Sequence, residues 1–561
     1  MAFQRQWHES YPPGVRAEFE IERVTMPDAL KRTVERFPGR SAFNYMGKTI
    51  TFAGLEKLVN RFTRALSALG VDKNTVVGML LPNIPQVIIA DYAVYNHGAV
   101  AAMNNPLYTE RELEYQLNDC GCSVVVTLDL LLPRLLKLKE KTGVKTIITC
   151  HINDFLPFPK KQLFPLVKKD MYRKIEPQED VYQFMDLLGA YSDAPVENLS
   201  EWDKTAVLIY TGGTTGVSKG AMLSHGNISS VVQQFTEWFP DLHMGEESLL
   251  GIYPIFHSAG YSVSQNLTIW NGWNCILIPR PGPEIIVESL KKYRPGFLPG
   301  VPTIYTALLE NSEFRNMDLS FVKGYFAGAA PLPGDTIQEL KKLHRADIYD
   351  VYGATENTAF ATATPWKGRI KPGTVGVPLP NTDIRIVDPD TGTRELGPGE
   401  AGEICVRGPQ VMKGYYNRPE ETRDALKEGW FFLGDIGVMD EDGYLSIVDR
   451  KKDIIIAGGF NVYPMEVDQV LFDHPGILEA CTIGVSDPYR GETVKAFVVP
   501  VPGEKLSEDD VIEFCRGRLA GYKVPHMVEF LDELPKSSIG KILRRKLREM
   551  EEERAGQGRS E

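Results

Sequence analysis

A strand, a helix and a second strand follow one another between residues 75 and 104 with almost nothing between them. TVVGMLL reads as a buried strand, IPQVIIADYAVYNHG as a helix and AVAAMN as another strand, separated by short Pro, Asn and Gly steps. A helix placed between two strands carries the chain back over the sheet, so the strands run parallel in crossover units. Just before them, Phe52 to Leu69 (FAGLEKLVNRFTRALSAL) carries apolar residues at helical spacing, and Gly70 stands where a C-cap belongs. The expected class is α/β, with a large N-terminal region of parallel-rich sheets and helices.

At 561 residues the chain exceeds what one hydrophobic core supports, so more than one domain is expected. From His151 to Val181 (HINDFLPFPKKQLFPLVKKDMYRKIEPQEDV) prolines, aromatics and lysines interrupt the alternation, which reads as an excursion from the sheet. After Gly376, short strands such as TDIRIVD, GEICVRG and GYLSIVD are separated by Pro-Asp, Pro-Gly and Asp-Gly turns. That pattern suggests a small antiparallel, β-barrel-like subdomain. DRKKD at 449–453 forms a charged joint, and beyond it helices (MEVDQVLFDHP, SEDDVIEFCRGRLA) mix with strands (ILEACTIGV, ETVKAFVVPV). The domains are therefore expected at 1–449 and 450–561, the second a small α+β unit.

Composition excludes several classes. With 43% hydrophobic and 24% charged residues the chain is neither disordered nor collagen-like. A net charge of −12 argues against a nucleic-acid binder, which needs a basic face. Seven cysteines are scattered, and C-G-C at 120–122 is neither C-x-x-C nor a zinc knuckle, so they read as reduced core residues of a cytoplasmic protein. The nine histidines form no H-x-x-H or H-E-x-x-H, so no transition-metal site is expected. The N-terminal MAFQRQWHESYPPG has no apolar stretch typical of a secretory signal. The longest apolar stretch, Val76 to Met103, is broken by Pro82, Asn83, Pro85, Asp91, Asn96 and His97, short of the roughly 18 uninterrupted residues of a membrane span. The expectation is a soluble cytoplasmic protein, at most peripheral at a membrane surface.

The sharpest chemical signal is YTGGTTGVSKG at 210–220, after the strand TAVLIY and before the helix-like HGNISSVVQQF. Glycines and threonines let backbone approach an anion while offering N–H and hydroxyl donors, and Lys219 adds a cation. This is no Walker P-loop, because Val217 and Ser218 separate Gly216 from Lys219. The loop resembles the Y-T-S-G-T-T-G-x-P-K-G signature of the adenylate-forming superfamily of acyl-CoA synthetases, luciferases and peptide-synthetase adenylation domains. It departs at Gly212, usually Ser, and at Ser218, usually Pro. The resemblance implies triphosphate contacts from Thr211, Thr214, Thr215 and Lys219.

Further segments resemble the family in order. YGATE at 352–356 resembles Y-G-x-T-E, which implies that Tyr352 borders the nucleotide, Thr355 meets the α-phosphate and Glu356, with Thr211, holds Mg²⁺. AGAAP, Ala327 to Pro331, resembles the adenine-binding strand end, with Gly328, Ala329 and Ala330 at the base. WFFLGD resembles the segment whose acid, here Asp435, accepts bonds from ribose, and DRKKD the one where Arg450 also faces ribose and Lys452 is the hinge of a mobile C-terminal lid. PKSSIGKILRR resembles the loop whose lysine, Lys541, catalyses adenylation. Gly458 and Gly459 of AGGFNV are implied in the coenzyme A channel. The resemblance extends from residue 30 to 548.

The residue types suit the chemistry. A carboxylate must attack an anionic α-phosphorus, so Mg²⁺, Lys219 and Lys541 are required chiefly to neutralise like charges. No general base is needed, since the acid is already ionised at pH 7. The substrates implied are ATP, coenzyme A and an acid. PIFHSAGY, Pro254 to Tyr261, resembles the acid pocket: His257 closes the carboxylate end, Tyr261 matches an aromatic gate, and the small Gly260 and Gly353 leave room for a chain. NPLYTEREL, Asn105 to Leu113, resembles bacterial and archaeal long- and medium-chain fatty acid–CoA ligases. Rival readings are an aryl or cinnamyl CoA ligase, a fatty-acyl-AMP ligase and a non-catalytic nucleotide- or lipid-binding protein. In 151–181, Phe155, Phe158 and Phe164 interleave with lysines, so membrane contact stays open against a solvated loop, as does homodimerisation.

Overall fold

Val76–Leu80 and Val100–Met103 pair in parallel, with Val76 opposite Val100, and Pro85–Asn96 is the crossover helix between them. Every residue of that helix is buried, so it carries no polar face toward solvent. The computed structural model describes residues 5–211, 218–328, 332, 334–344, 346–457, 460–487, 491–537 and 541–557. By its internal packing the chain divides into Met1–Asp383 with Val406–Phe431, and Ile384–Cys405 with Phe432–Glu561.

The first unit holds two sheets. In one, the order is Val181–Gln183, Thr146–Cys150, Val124–Leu128, Val76–Leu80, Val100–Met103, Thr205–Tyr210, Gly220–Ser224. Only its last pair is antiparallel. The other is nine-stranded, and its centre runs Ile348–Tyr352, Gly324–Ala327, Phe297–Gly300, Ser248–Gly251, Asn274–Leu277, Ser41–Tyr45, all in parallel. Phe52–Ala68 is the expected helix; Thr51 caps its start and Gly70 takes φ +80° after its end. The excursion at 151–181 forms a helix, Lys160–Val167, and a short 3-10 turn, Lys169–Met171, before the chain re-enters the sheet at Val181.

In the second unit, strands within Asp383–Val387, Ala401–Arg407, Trp430–Met439 and Leu445–Arg450 share one sheet, the last two antiparallel. A further mixed sheet follows: Phe460–Val462, Ile455–Ala457, Gly491–Pro500 and Ile477–Asp487, with Met527–Phe530 beside Gly491–Pro500. Helices Pro464–Phe472 and Glu508–Arg516 bury Val467, Leu471 and Val511 against Val494, Ala496 and Val498. This is the small α+β unit the patterning suggested. All seven cysteines are buried and unbridged.

Candidate active site

Parallel strands deliver their C-terminal ends to one edge of a sheet, where α/β folds bind ligands. Three motifs that lie between His257 and Glu356 in sequence meet there. The segment with His257 follows Ser248–Gly251, Gly328 follows Gly324–Ala327, and the Gly353–Glu356 turn follows Ile348–Tyr352. Buried Asn83, from the crossover loop of the other sheet, holds the first of these in place. Its Nδ2 donates to the carbonyls of Gly251 and Tyr253 at 3.0 and 2.9 Å, and its Oδ1 accepts from Ile255 N at 2.8 Å.

Thr355–Asn357 is a 3-10 turn whose Ala354 N–H donates to Asn357 Oδ1 at 2.7 Å. Thr355 Oγ1 lies 3.4 Å from Ser258 Oγ, which brings the acid segment and the YGATE turn together. His257 Nδ1 accepts from Ala259 N–H at 3.5 Å and caps the next turn. At Gly260 a Cβ would stand 2.1 Å from the Pro254 carbonyl oxygen, and at Gly353 2.4 Å from that of Ala359. Both glycines therefore answer a close backbone approach, rather than leaving open space.

The strands on either side of the glycine–threonine motif pair, because Gly220–Ser224 runs antiparallel to Thr205–Tyr210 and places Tyr210 opposite Gly220. The extra strand was not legible in GAMLS, a short run followed at once by a helix. At the loop's base Thr211 N–H donates to the Lys219 carbonyl at 2.9 Å, and Ser218 Oγ donates to the Thr211 carbonyl at 2.5 Å. The serine that replaces proline thus closes the loop by a hydrogen bond. Partly buried Asp119 braces the same base: it accepts from Tyr210 Oη at 2.8 Å and from Arg418 at 2.5 Å, while Tyr115 Oη donates to the Ser218 carbonyl at 3.0 Å. Thr214, Thr215, Ala329, Ala330, Gly458 and Gly459 lie outside the described residues.

Tyr415 joins the loop to the YGATE turn. Lys219 Nζ lies 4.4 Å from its ring centroid, and its hydroxyl donates to Glu356 Oε1 at 2.7 Å. Burial, and then the Glu356 charge, push this phenol far above its ordinary range, so it stays a donor. Among the described residues no three His, Cys, Asp or Glu side chains gather into a metal cage. The lone Glu356 carboxylate suits a magnesium ion that takes its other ligands from phosphates and water.

Beside these strand ends lies a narrow apolar cavity lined by Phe235, Val263, Leu267, Phe297, Pro299, Phe326 and Phe360, with Tyr253 and Val351 among its walls. Tyr253 and Val351 also flank Gly328, whose Cβ position is 3.1 Å from Val351 Cγ2 and 3.5 Å from Tyr253 Oη. Tyr261 is fully buried, and its hydroxyl bonds that of Tyr95. It opens a π-helical segment, Tyr261–Leu267.

In the second unit Asp435 and Arg450 face each other across paired strands, with Arg450 Nε 2.6 Å from Asp435 Oδ1. Asp449, pushed up to about 6 by burial, accepts from Met465 N–H at 2.6 Å, and Asp453 accepts from Arg548 at 2.7 Å. Lys452 and Lys541 are exposed, yet surrounding protein, with Arg450 in both cases, pulls each ammonium down to about 8. Asn83, Tyr115, Asp119, Tyr415 and Arg418 belong to none of the chemical motifs in the sequence. The run GYYNRPEE and the lone Asn in LPNIP were the signals available, polar or aromatic residues at strand ends.

Residues 30–416 match the family model described as AMP-binding enzyme, and residues 466–541 match the AMP-binding enzyme C-terminal domain. The chain is 42% identical over 557 residues to a long-chain-fatty-acid–CoA ligase of Bacillus subtilis (strain 168), covering 99% of both chains. It is 39% identical to a protein of the same name from Escherichia coli O157:H7, covering 97% of this chain and 98% of the other. An anthranilate CoA ligase, AuaEII, solved in complex with anthranoyl-AMP, superposes with a TM-score of 0.84 at 25% identity, covering 96% and 99% of the two chains. Glycine–threonine motif, YGATE turn and C-terminal unit thus belong to one lineage: the chain is a member of the AMP-binding enzyme family.

Proposed function

We propose that this chain is a cytoplasmic, AMP-forming fatty acid–CoA ligase. What supports the reading is the 42% identity over 557 residues to a protein named for long-chain fatty acids, joined by a narrow apolar cavity beside the strand ends that present Gly328, Thr355 and Glu356. A fatty tail gains about 0.8 kcal/mol per buried methylene, so such a wall supplies affinity that a small polar acid would not use. The 42% identity to a protein named for long-chain acids, against 25% to the anthranilate ligase, favours this reading over the aryl-acid one.

In the first step a carboxylate oxygen attacks the α-phosphorus of ATP, the bond to the β-phosphate oxygen breaks, and pyrophosphate leaves. Lys219 and Lys541 neutralise the charge that gathers, while Thr355 donates to the α-phosphate. Glu356, oriented by Tyr415, would hold Mg²⁺, which when bound supplies further positive charge at the phosphates. Asp435 and Arg450 orient the ribose, and His257 closes the carboxylate end of the acid site. In the second step the thiolate of coenzyme A attacks the acyl carbonyl and AMP departs with the oxygen that came from the acid. The segment 450–561 turns about Lys452 between the steps, bringing Gly458 and Gly459 to the pantetheine arm. Pyrophosphate release across acids of graded length, with and without coenzyme A, tests the reading. Release that depends on long-chain acids supports it; release with aromatic acids alone overturns it.

A contact with an anionic bilayer has its own support. Phe158, Leu166 and Val167 are 82%, 68% and 71% exposed beside Lys160, Lys161, Lys168 and Lys169. Each cation near an anionic surface contributes about 1 kcal/mol. Among the described residues no helix is long and apolar enough to cross a membrane. Sedimentation with phosphatidylglycerol vesicles should carry the protein down, and Phe158→Asp with Leu166→Asp should release it. Equal sedimentation of variant and wild type contradicts the contact.

A further inference from the structure

One wall of the apolar cavity has an uncommon winding. Tyr261–Leu267 is π-helical, a form found chiefly as single turns at functional sites. Val263 and Leu267 line the cavity. Three other side chains of the segment engage the buried helix Pro85–Asn96. The Tyr261 hydroxyl bonds that of Tyr95, Gln265 Nε2 donates to Asp91 Oδ2 at 2.9 Å, and Tyr92 Oη donates to Asn266 Oδ1 at 2.9 Å. Asn266 Nδ2 also donates back to the Tyr261 carbonyl at 2.9 Å, so the segment holds its own wide turn. Ser262 Oγ donates to the Thr358 carbonyl at 3.0 Å, tying the same turn to the end of the Thr355–Asn357 segment.

The Asp91–Gln265 contact is incomplete as an ionised pair. Asp91 Oδ1 and Gln265 Oε1 are both buried acceptors without a partner, and they belong to two side chains already joined by one hydrogen bond. A single proton resolves both, because a carboxylic acid beside a primary amide can donate its O–H to the amide oxygen while accepting the amide N–H. The groups that face Asp91 are Gln265 and the phenols of Tyr92, Tyr95 and Tyr261, with the His225 ring beyond Tyr95. Among the described residues none of these supplies a cation at neutral pH. Burial drives the Asp91 carboxyl well above its ordinary value, opposed only by the Gln265 bond, and drives the His225 imidazole down to about 3.

We propose that Asp91 is a neutral acid paired with Gln265, and that this pair positions the π-helical wall and so sets which acyl lengths the cavity accepts. Neither residue lines the cavity, so both act through Val263 and Leu267 as positioning residues. If the pair is broken, the segment is free to return to α-helical winding, which drops one residue from the turn and swings Leu267 away from its place in the wall. The acyl-length part of the inference rests on the fatty-acid reading; the protonation part does not.

The test has two arms. In the first, thermal melting is followed from pH 5 to pH 8.5 for wild type and Asp91→Asn. Folding a neutral Asp91 takes up a proton that the unfolded chain releases above about pH 4, so it opposes folding increasingly as pH rises. Asn replaces the acid with a permanently neutral partner for Gln265. The variant should therefore melt above wild type at pH 8.5, with the gain shrinking toward pH 5. A variant less stable than wild type at pH 8.5, with the deficit shrinking toward pH 5, overturns the neutral acid. In the second arm, kcat/KM is measured for acids of graded length, alongside KM for ATP. Gln265→Met should shift the ratio between long and medium acids by about tenfold, on the scale that one methylene contributes, with KM for ATP unchanged. Asp91→Asn, the conservative variant, should keep the wild-type ratio. An unchanged ratio in Gln265→Met, or a proportional loss on every acid, overturns the positioning role. Should wild type activate no fatty acid, the substrate reading fails while the melting arm still decides the state of Asp91.

Discussion

Removing the hydroxyl of Tyr415 isolates a contact that no motif announced. In Tyr415→Phe the ring stays beneath Lys219, at 4.4 Å from Nζ, but Glu356 loses a donor at 2.7 Å. Hydrogen bonds to charged groups contribute about 1.5–3 kcal/mol. Glu356 is only partly buried, so the lower end applies, and about 1.5 kcal/mol lowers the rate about tenfold. Tyr415→Leu also removes the cation–ring contact, worth a further 0.5–1 kcal/mol or so, for a total loss of about fortyfold. Initial rates of pyrophosphate release with saturating acid and varied ATP read both values. The pairing is isolated by repeating Tyr415→Phe in a Glu356→Gln background, where the hydroxyl should matter far less. Wild-type rates in Tyr415→Phe, or the same tenfold loss in both backgrounds, would show that the hydroxyl does not act through Glu356.

Other residues make separable claims. Lys541→Ala should abolish adenylation while sparing thioester formation from supplied acyl-adenylate, because the cation acts only as carboxylate and phosphate approach; equal loss in both half-reactions refutes that role. Since surrounding protein pulls the Lys541 ammonium down to about 8, adenylation should fall as pH rises through that value, and Lys541→Arg should keep what activity it has at higher pH. Lys452→Pro fixes a backbone angle that a hinge must change, so acyl-adenylate should form in a single turnover but not discharge to coenzyme A; normal discharge contradicts the hinge. Gly260→Ala places a methyl 2.1 Å from a carbonyl oxygen, so it should lower stability by a few kcal/mol in denaturant titration; unchanged stability would contradict the close approach.

Most of the architecture was legible because long periodic segments carry their own signal. The helix Phe52–Ala68 stops two residues before Gly70, and the crossover at 75–104 reproduces strand, helix and strand. The strand Gly220–Ser224 was hidden because five residues are too few to show alternation, and only pairing with Thr205–Tyr210 makes them a strand. The π-helical winding of Tyr261–Leu267 is set by bonds to a helix about 170 residues earlier, which no local pattern encodes. The same holds for Asn83, Asp119 and Tyr415. Each is an ordinary polar or aromatic residue until folding brings a loop 60 to 170 residues away against it. Motif residues could be read singly, whereas the residues that brace them could not.

Attack of the carboxylate oxygen on the α-phosphorus leaves an isotopic record in the products. A long-chain acid carrying ¹⁸O in both carboxylate positions is turned over with ATP, Mg²⁺ and coenzyme A, and the products are analysed by mass spectrometry. Attack at the α-phosphorus should give AMP carrying one ¹⁸O, acyl-CoA carrying the other, and unlabelled pyrophosphate. Unlabelled AMP, or ADP formed together with labelled inorganic phosphate, would contradict it.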